Sequence, residues 1–447
     1  MVKIFALLET IFSFIIVFGI LVFVHEFGHF FVAKLVKVRV LVFSWGYGKR
    51  LFGFKKGETD YRVSIVPMGG YVKFAGEEVF EKGGKFEPGD FMAKKRWERF
   101  LVLAMGSIMN IILAVVFLSV INMVGVTVLE HKEQSPFIGW IEPGSPAERA
   151  NLQMGDEILS INKRKMKTWS DVEIAVLTKP DRMINVEVKR GEEILSVQLM
   201  TESKTEYARG YAGFDGRIAI QVVEIIPENP AEKAGLEVGD IILAVNKEPV
   251  YLYQFTGLIE KNAEKELDFL IEREGETFTL IITPRLQEGV GKIGVYTVPK
   301  TVFKQYSFFP AIGGSIKQNT KLAFMLLHYL RDLITGEASA KQVGGPIEIA
   351  SMSRKFFRQG FFAMMWFIAF VSLQLGIINL FPIPVLDGGH ILVLTLEGIF
   401  RRDFSLKLKQ VVMQIGFTIF IFLIVFLILN DIVRRLPNGW ESLLFWK

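Results

Sequence analysis

Apolar residues along this chain are gathered into four long runs. Three runs carry no charged residue, and they cover residues 100–129, 359–386 and 410–430. A fourth covers residues 10–24 and resumes, after a short polar cluster, as far as Ala33. About 20 apolar residues cross a bilayer as a helix, so the pattern predicts four membrane-spanning helices. A signal peptide is the alternative for the first run, but no small-residue cleavage site follows it.

Charge between the runs predicts the orientation of the chain. Residues 34–99 hold 15 Lys and Arg against eight Asp and Glu, and the loop at 391–409 is also basic. Both loops lie on one side of a four-span protein, and the positive-inside rule assigns that side to the cytoplasm. Residues 130–358 then lie outside. The chain has no long basic block, so nucleic acid is not an expected partner.

The outer segment contains an internal repeat. Residues 143–166 align without gaps to residues 227–250, and 12 of the 24 positions are identical. Each copy predicts a turn, a short helix, a Gly-Asp turn and a strand, and the 84-residue spacing suits two small domains. The pattern resembles the PDZ domain, which binds an extended peptide along a sheet edge. A spacer without ligand is the alternative.

Residues 25–29 carry the first candidate chemistry, with the sequence His25-Glu26-Phe27-Gly28-His29. Residues four apart share one face of a helix, so both imidazoles can reach one ion. Glu26 can reach a water molecule there, as in the HExxH motif of zinc metallopeptidases. Ionisable residues inside a membrane persist mainly for function, which favours this interpretation over a hydrogen-bonded trio without metal.

A catalytic zinc usually takes a third protein ligand, and the chain has no Cys and only 5 His. The third run ends in NLFPIPVLDGGH, residues 379–390. The first and third spans are parallel, so Asp387 and His25 are expected at the same depth. Pro382 and Pro384 predict that the helix opens just before Asp387. Asp387 is the candidate ligand, His390 competes with it, and a simple turn at a helix end is the alternative.

Two further segments are candidates for substrate contact. Asn110 lies four residues after Gly106 on the second span, where a buried amide needs a partner, and helix packing is the alternative role. Residues 61–74 alternate in part and are broken by glycine, which predicts a hairpin that dips into the bilayer. A free strand edge there could hold an unwound substrate.

These motifs, in this order, resemble the site-2 protease family of intramembrane zinc metalloproteases. The resemblance rests on HEFGH, GSIMN, the two PDZ-like repeats and NLFPIPVLDGGH, and it spans essentially the whole chain. It implies one zinc per chain held by His25, His29 and Asp387, with Glu26 as general base. It also implies substrate binding by the following residues: Asn379, Asn110, Gly69, Gly70 and Tyr71.

The resemblance further implies the location and partners of the protein. The expected location is the bacterial inner membrane, with the active site near the cytoplasmic side and the PDZ-like domains outside. The expected partners are the lipid bilayer, single-span membrane proteins of the anti-sigma-factor type or remnant signal peptides, and peptide C-termini at the PDZ-like domains. A membrane-anchored PDZ adaptor with a non-catalytic metal site and a metal transporter are the rival functions.

The predicted fold is a polytopic α-helical membrane protein with four transmembrane helices, a membrane-reentrant β segment and two external PDZ-like α+β domains. The predicted parts are a first transmembrane helix (1–33), a reentrant β region (34–99), a second transmembrane helix (100–126), PDZ-like domains 1 (127–205) and 2 (206–300), an amphipathic helical linker (301–358), a third transmembrane helix (359–390), a cytoplasmic loop (391–409), a fourth transmembrane helix (410–430) and a C-terminal tail (431–447).

Overall fold

A computed structural model describes residues 2–76, 86–204 and 209–436 of the 447-residue chain. The predicted C-terminal tail therefore lies outside the described residues from residue 437 onward, as do residues 77–85 of the predicted reentrant region. The chain divides into two compact units. The membrane unit comprises Met1–Gly125, Gln305–Arg331 and Val343–Lys447, and the β-rich unit comprises Val126–Lys304 and Asp332–Gln342.

Long helices dominate the membrane unit. They are Val2–Leu35, Arg96–Val124, Phe308–Ile334 (its last turn assigned to the β-rich unit), Pro346–Arg358, Phe361–Asn379, Asp387–Ile399 and Leu406–Val433. Among the described residues, four helices are long and apolar enough to cross a membrane, and we call them the first to fourth spans: Ile4–Leu35, Arg96–Val124, Phe361–Asn379 and Lys407–Val433. The predicted number of spans is thereby confirmed by length and composition.

The third span is shorter than the sequence predicted. It ends at Asn379 instead of continuing to residue 390, and a separate helix, Asp387–Ile399, follows. Pro382 and Pro384 cannot continue a helix, because each lacks an amide hydrogen and its ring clashes with the preceding turn. Val385 has φ of 89°, a sparsely populated conformation for a β-branched residue. The prolines therefore break the segment, and Asp387 stands in the first turn of the new helix.

Small residues let the first three spans approach closely. A Cβ on Gly28 of the first span would lie 2.5 Å from the Met105 carbonyl oxygen, and one on Gly376 would lie 2.8 Å from the Ser107 carbonyl oxygen. Glycine at such positions lets the backbones of two helices pack together, a common device inside membranes. Val17 and Leu21 of the first span extend this packing into a buried apolar cluster with the third span.

A carboxylate near the C-terminal end of the fourth span binds the start of the helix Pro346–Arg358. Asp431 accepts hydrogen bonds from the backbone amides of Gly345, Ile347 and Glu348, at 2.9, 3.0 and 3.0 Å. These amides begin the helix Pro346–Arg358, whose first turn has no partners of its own. Asp431 therefore supplies the N-terminal cap of a neighbouring helix.

A long β-hairpin follows the first span. Strand β1, Val40–Lys56, pairs antiparallel with β2, Thr59–Phe74, and the register shifts several times between Val40 and Phe52. The expectation of a hairpin within residues 61–74 was therefore wrong, because these residues form one strand whose partner precedes them in the chain. Val38 and Val40 are buried with Val32 and Ala33 of the first span. The hairpin is therefore anchored on the helix that carries His25 and His29.

The β-rich unit contains most of the strands. They are β3 Val126–Leu129, β4 Ile138–Ile141, β5 Glu157–Ile161, β6 Arg164–Lys165, β7 Met183–Arg190, β8 Glu193–Met200, β9 Glu202–Lys204, β10 Arg209–Tyr211, β11 Phe214–Gly216, β12 Ile220–Ile225, β13 Ile241–Val245, β14 Glu248–Pro249, β15 Leu267–Arg273, β16 Glu276–Ile282, β17 Arg285–Gln287, β18 Val290–Lys292, β19 Val295–Pro299 and β20 Thr301–Lys304. Its helices are Pro146–Arg149, Trp169–Leu177, Pro230–Lys233 and Leu252–Lys261. The sheets include the orders β6-β5-β7-β8 and β16-β15-β13-β12-β19.

Each of the two repeats contains an equivalent internal ion pair. Asp156 is the aspartate of the first Gly-Asp turn and binds Arg190 through both carboxylate oxygens, at 2.7 and 2.8 Å. Asp240 binds Arg273 in the second repeat at the same two distances. Both carboxylates are buried, at 1% and 0% exposure, so the aspartate of each turn fastens it to a strand of the same repeat.

Replacing Asp240 with Asn tests this fastening. The substitution leaves the guanidinium of Arg273 facing a neutral amide, and we expect the unfolding temperature of the second repeat to fall by roughly 5–10 °C. Glu237→Gln is the matched control, because Glu237 binds the same arginine from an exposed position (2.6 Å). The unfolding temperature is measured in the full chain by amide hydrogen exchange of residues 218–299 at increasing temperature. Equal melting of the two variants would contradict the assignment.

Candidate metal centre

Three ligand atoms from two distant segments converge inside the membrane unit. His25 Nε2 and His29 Nε2 are 3.1 Å apart, one helical turn from each other on the first span. Asp387 faces both rings, with 3.2 Å from Oδ2 to His25 Nε2 and 3.5 Å from Oδ1 to His29 Nε2. Among the described residues, this is the group of His, Asp and Glu side chains whose spacing suits a metal ion.

The turn before Asp387 depends on two glycines. A Cβ on Gly388 would lie 2.2 Å from the Phe381 carbonyl oxygen, and one on Gly389 would lie 2.3 Å from the Ile383 carbonyl oxygen. Side chains at these positions would push the non-helical stretch away from the new helix. The Gly-Gly pair therefore allows the tight turn that presents Asp387.

The spacing of the three residues fits a zinc ion. Tetrahedral zinc with nitrogen or oxygen ligands at about 2.0–2.1 Å keeps those ligand atoms about 3.3 Å apart. The three measured separations, 3.1, 3.2 and 3.5 Å, lie around that value. Two imidazoles and one carboxylate are also a donor set known from catalytic zinc sites, which leave a fourth position open.

Neighbouring groups orient each ligand. His29 Nδ1 is 2.8 Å from the Val102 carbonyl oxygen, which requires the proton on Nδ1 and leaves the Nε2 lone pair for a metal. Ser107 donates to Asp387 Oδ2 at 3.3 Å. The second span thus supplies supporting contacts to ligands from two other segments.

Asn110 provides the corresponding contact to His25. Its Nδ2 atom lies 3.4 Å from His25 Nδ1, and its Oδ1 atom, fully buried, has no partner among the described residues. With the amide turned by 180°, Oδ1 faces the ring and accepts the Nδ1 proton, which leaves His25 Nε2 free to bind a metal. This geometry supports a positioning role for Asn110.

Gly106 makes room for both rings. A Cβ at this position would lie 2.3 Å from His29 Nε2 and 2.8 Å from His25 Cε1. The backbone of the second span is therefore in direct contact with the imidazoles. Any side chain at Gly106 would displace at least one of the two histidines.

A cavity of about 1070 Å³ opens beside the three ligands within the membrane unit. Its lining includes four of the predicted site residues besides the ligands: Glu26, Asn379, Gly70 and Tyr71. Glu26 also contacts the hairpin, since a Cβ on Gly70 would lie 3.4 Å from Glu26 Cγ. An unwound peptide segment can therefore reach the ligands, the carboxylate and the hairpin from one space.

The other predicted residues lie around this cavity in different ways. Asn110 is buried behind His25 and is not part of the lining, and Gly69 is packed beneath the ring of Tyr47. His390 lines the cavity but lies outside the group of three ligands.

Several residues of the site were missed by sequence reasoning. Tyr47 lines the cavity, and only its two flanking glycines hint at a special position. Glu397, 1% exposed, pairs with Lys409 at 2.6 Å in the same lining. Ser107 stands inside the GSIMN motif, but its contact with Asp387 arises only in the fold.

Comparison with known proteins identifies the family. The model of Peptidase family M50 matches residues 13–423, so the chain belongs to this family, the site-2 proteases. The regulator of sigma E protease of Haemophilus influenzae is 31% identical over 443 residues (94% of this chain, 98% of that one). Protease RseP of Yersinia pestis is 30% identical over 454 residues (96% and 99%). Regulator of sigma-E protease RseP of Escherichia coli K12 is 31% identical over 445 residues (94% and 98%).

These findings confirm the resemblance read from the motifs. The chain is a zinc-dependent metalloendopeptidase of the site-2 protease type. Membership of an enzyme family argues against the adaptor and transporter alternatives.

Gly106→Ala tests the contact between the second span and the two rings. The added methyl group has no space beside His29, so we expect purified protein to hold much less than the wild-type amount of zinc. Gly313→Ala is the control, since no atom lies within 4 Å of a Cβ there. Metal analysis by mass spectrometry gives the stoichiometry, and full zinc occupancy in Gly106→Ala would refute the geometry.

Asn110→Ala tests the positioning of His25. Loss of a partner that orients a metal ligand typically weakens metal binding by roughly 10- to 100-fold, and we expect that loss here. Asn122→Ala is the matched control, because Asn122 is a buried amide on the same helix whose Nδ2 contacts the Ala311 carbonyl oxygen (3.4 Å). Competition with a chelator measures zinc affinity. Unchanged affinity in Asn110→Ala would remove this role.

Proposed function

We propose that the chain hydrolyses peptide bonds of single-span membrane proteins inside the bacterial inner membrane. The expected substrates are of the anti-sigma-factor type or are remnant signal peptides. The observation that carries the proposal is the convergence of His25, His29 and Asp387 beside Glu26, on a cavity within the unit that holds the four candidate spans. A catalytic centre among membrane-spanning helices suits substrates that are themselves buried in lipid.

The residues divide the chemical work between them. His25, His29 and Asp387 would hold one zinc ion per chain, which supplies Lewis-acid activation of water and of the substrate carbonyl. Glu26 accepts a proton from the attacking water as the water oxygen bonds to the carbonyl carbon. Glu26 then delivers that proton to the amide nitrogen as the C–N bond breaks. The products are a new carboxyl end and a new amino end.

The substrate must be unwound before this reaction. A membrane-spanning helix satisfies its peptide groups internally, so its carbonyls are not accessible until local hydrogen bonds open. Asn379, Gly70 and Tyr71 line the cavity and can replace those hydrogen bonds. A segment weakened near one end of the helix is therefore the favoured substrate.

We further propose that the two repeats of the β-rich unit are PDZ-like domains on the extracytoplasmic side. Support comes from the duplicated Gly-Asp turn, the duplicated ion pair, and the recurrence of helices and strands at matching positions in both repeats. The basic loop at 34–99 favours the opposite, cytoplasmic, side for the hairpin. The repeats would bind exposed peptide ends or exclude substrates with bulky outer domains.

Glu26→Gln tests the proposed reaction. Glutamine keeps the shape of the side chain but cannot accept the proton, so cleavage of a single-span membrane substrate should be abolished. Folding and zinc content should stay close to wild type, because Glu26 is not one of the three ligands. Electrophoresis of a co-expressed substrate and metal analysis of the purified protein provide the two readouts.

Asp387→Asn serves as the contrasting variant. It should lose zinc as well as activity, since an amide is a poor substitute for a carboxylate ligand. Full cleavage by Glu26→Gln would rule out its role as the base. Wild-type zinc content in Asp387→Asn would move the third ligand elsewhere.

A further inference from the structure

Tyr47 of the hairpin stands in a backbone that requires glycine on both sides. Gly46 and Gly48 have φ of 94° and 90°, conformations that L side chains rarely adopt. A Cβ on Gly46 would also lie 2.7 Å from the Val66 carbonyl oxygen. The strand is therefore distorted around Tyr47, at the point where the register between β1 and β2 shifts.

The ring of Tyr47 is held by its neighbours. It stacks on Tyr71, with ring centroids 6.0 Å apart and planes inclined by 9°. A Cβ on Gly69 would lie 2.2 Å from the Tyr47 ring, so the ring occupies the space of a side chain at that position. These contacts involve the ring alone, and a phenylalanine would keep them.

The ring of Tyr47 lies against Gly69, the residue before Gly70 in the chain. Gly70 in turn abuts Glu26, since a Cβ on Gly70 would lie 3.4 Å from Glu26 Cγ. Tyr47 also lines the cavity together with Glu26 and Asp387. Tyr47 is thus one of the residues around the space where the peptide bond would be attacked.

The phenol is available as a hydrogen-bond donor. The described residues provide no acceptor for its proton. A phenol has a pKa of about 10, so the group stays protonated at neutral pH. Glu26 and Asp387, in contrast, present acceptor oxygens to the cavity.

We propose that Tyr47 is a further catalytic residue, whose O–H donates a hydrogen bond to the carbonyl oxygen of the scissile peptide. As water adds to the carbonyl carbon, the C=O π pair moves onto that oxygen, and the phenol stabilises the charge without giving up its proton. Glu26 carries the proton from water to the leaving nitrogen, so atoms and charges balance. A preorganised donor of this kind contributes about 10²–10³-fold to kcat. The inference rests on the proposed function.

Tyr47→Phe in the zinc-loaded full chain tests the inference. The probe is a synthetic single-span peptide with a Gly-Pro-weakened helix and a fluorophore-quencher pair, presented in detergent micelles. We expect kcat to fall by about 10²-fold while KM stays within about 2-fold and zinc content is unchanged. Tyr306→Phe is the control, because its hydroxyl has no hydrogen bond among the described residues and is not part of the cavity lining.

Two reference proteins separate this inference from the proposed function. Cleavage by wild type and none by Glu26→Gln shows that the cut occurs at this site. If Tyr47→Phe then has the kcat of wild type, or differs from wild type only in KM or in zinc content, the role of the phenol as a donor is refuted. The proposed protease function is not affected by that result. If Glu26→Gln cleaves like wild type, the proposed function itself fails.

Discussion

Two imidazole nitrogens and one carboxylate lie within 3.5 Å of one another inside an apolar bundle, although their residues stand near opposite ends of the chain. Unpaired polar groups are costly in such surroundings, and a metal ion gives all three donors a common partner. The fold must bring them together, and much of the membrane unit can be understood from that requirement. Gly28 and Gly106 let the second span approach the two histidines. The prolines before Asp387 end the helix of the third span and allow the non-helical stretch that follows it.

The second and fourth spans support this centre from two sides. Val102, Ser107 and Asn110 of the second span contact the three ligands directly. Gly416 of the fourth span lies against Pro384, where an added Cβ would be 2.1 Å from the proline ring. The non-helical stretch before Asp387 therefore packs against the fourth span at Pro384 and lines the cavity through Val385 and Leu386. Irregular chain is tolerated at membrane depth where it contacts protein or lines a cavity.

Local spacing made much of the centre predictable. His25 and His29 are four residues apart in the sequence, and such residues share one face of any helix. The two prolines predict the break before Asp387 from the sequence alone. The contacts of Ser107 and Tyr47 could not be predicted, because periodicity gives the face of an element but not the neighbour it meets. Asn110 was expected at the substrate, but its position behind His25 depends on the crossing of two spans. A β region was expected over residues 34–99, but the hairpin was placed within residues 61–74, because Gly46, Gly48 and Gly53 interrupt the alternation of β1.

Zinc K-edge X-ray absorption of the purified full chain is the sharpest test of the metal centre, because it reports the ligands of the metal without reference to activity. We expect zinc with two imidazole ligands and oxygen ligands at about 2.0–2.1 Å, the oxygens including the Asp387 carboxylate. Three imidazoles in the spectrum would place His390 in the position assigned to Asp387. A spectrum of that kind, or one with fewer than two imidazoles, would contradict the centre described above.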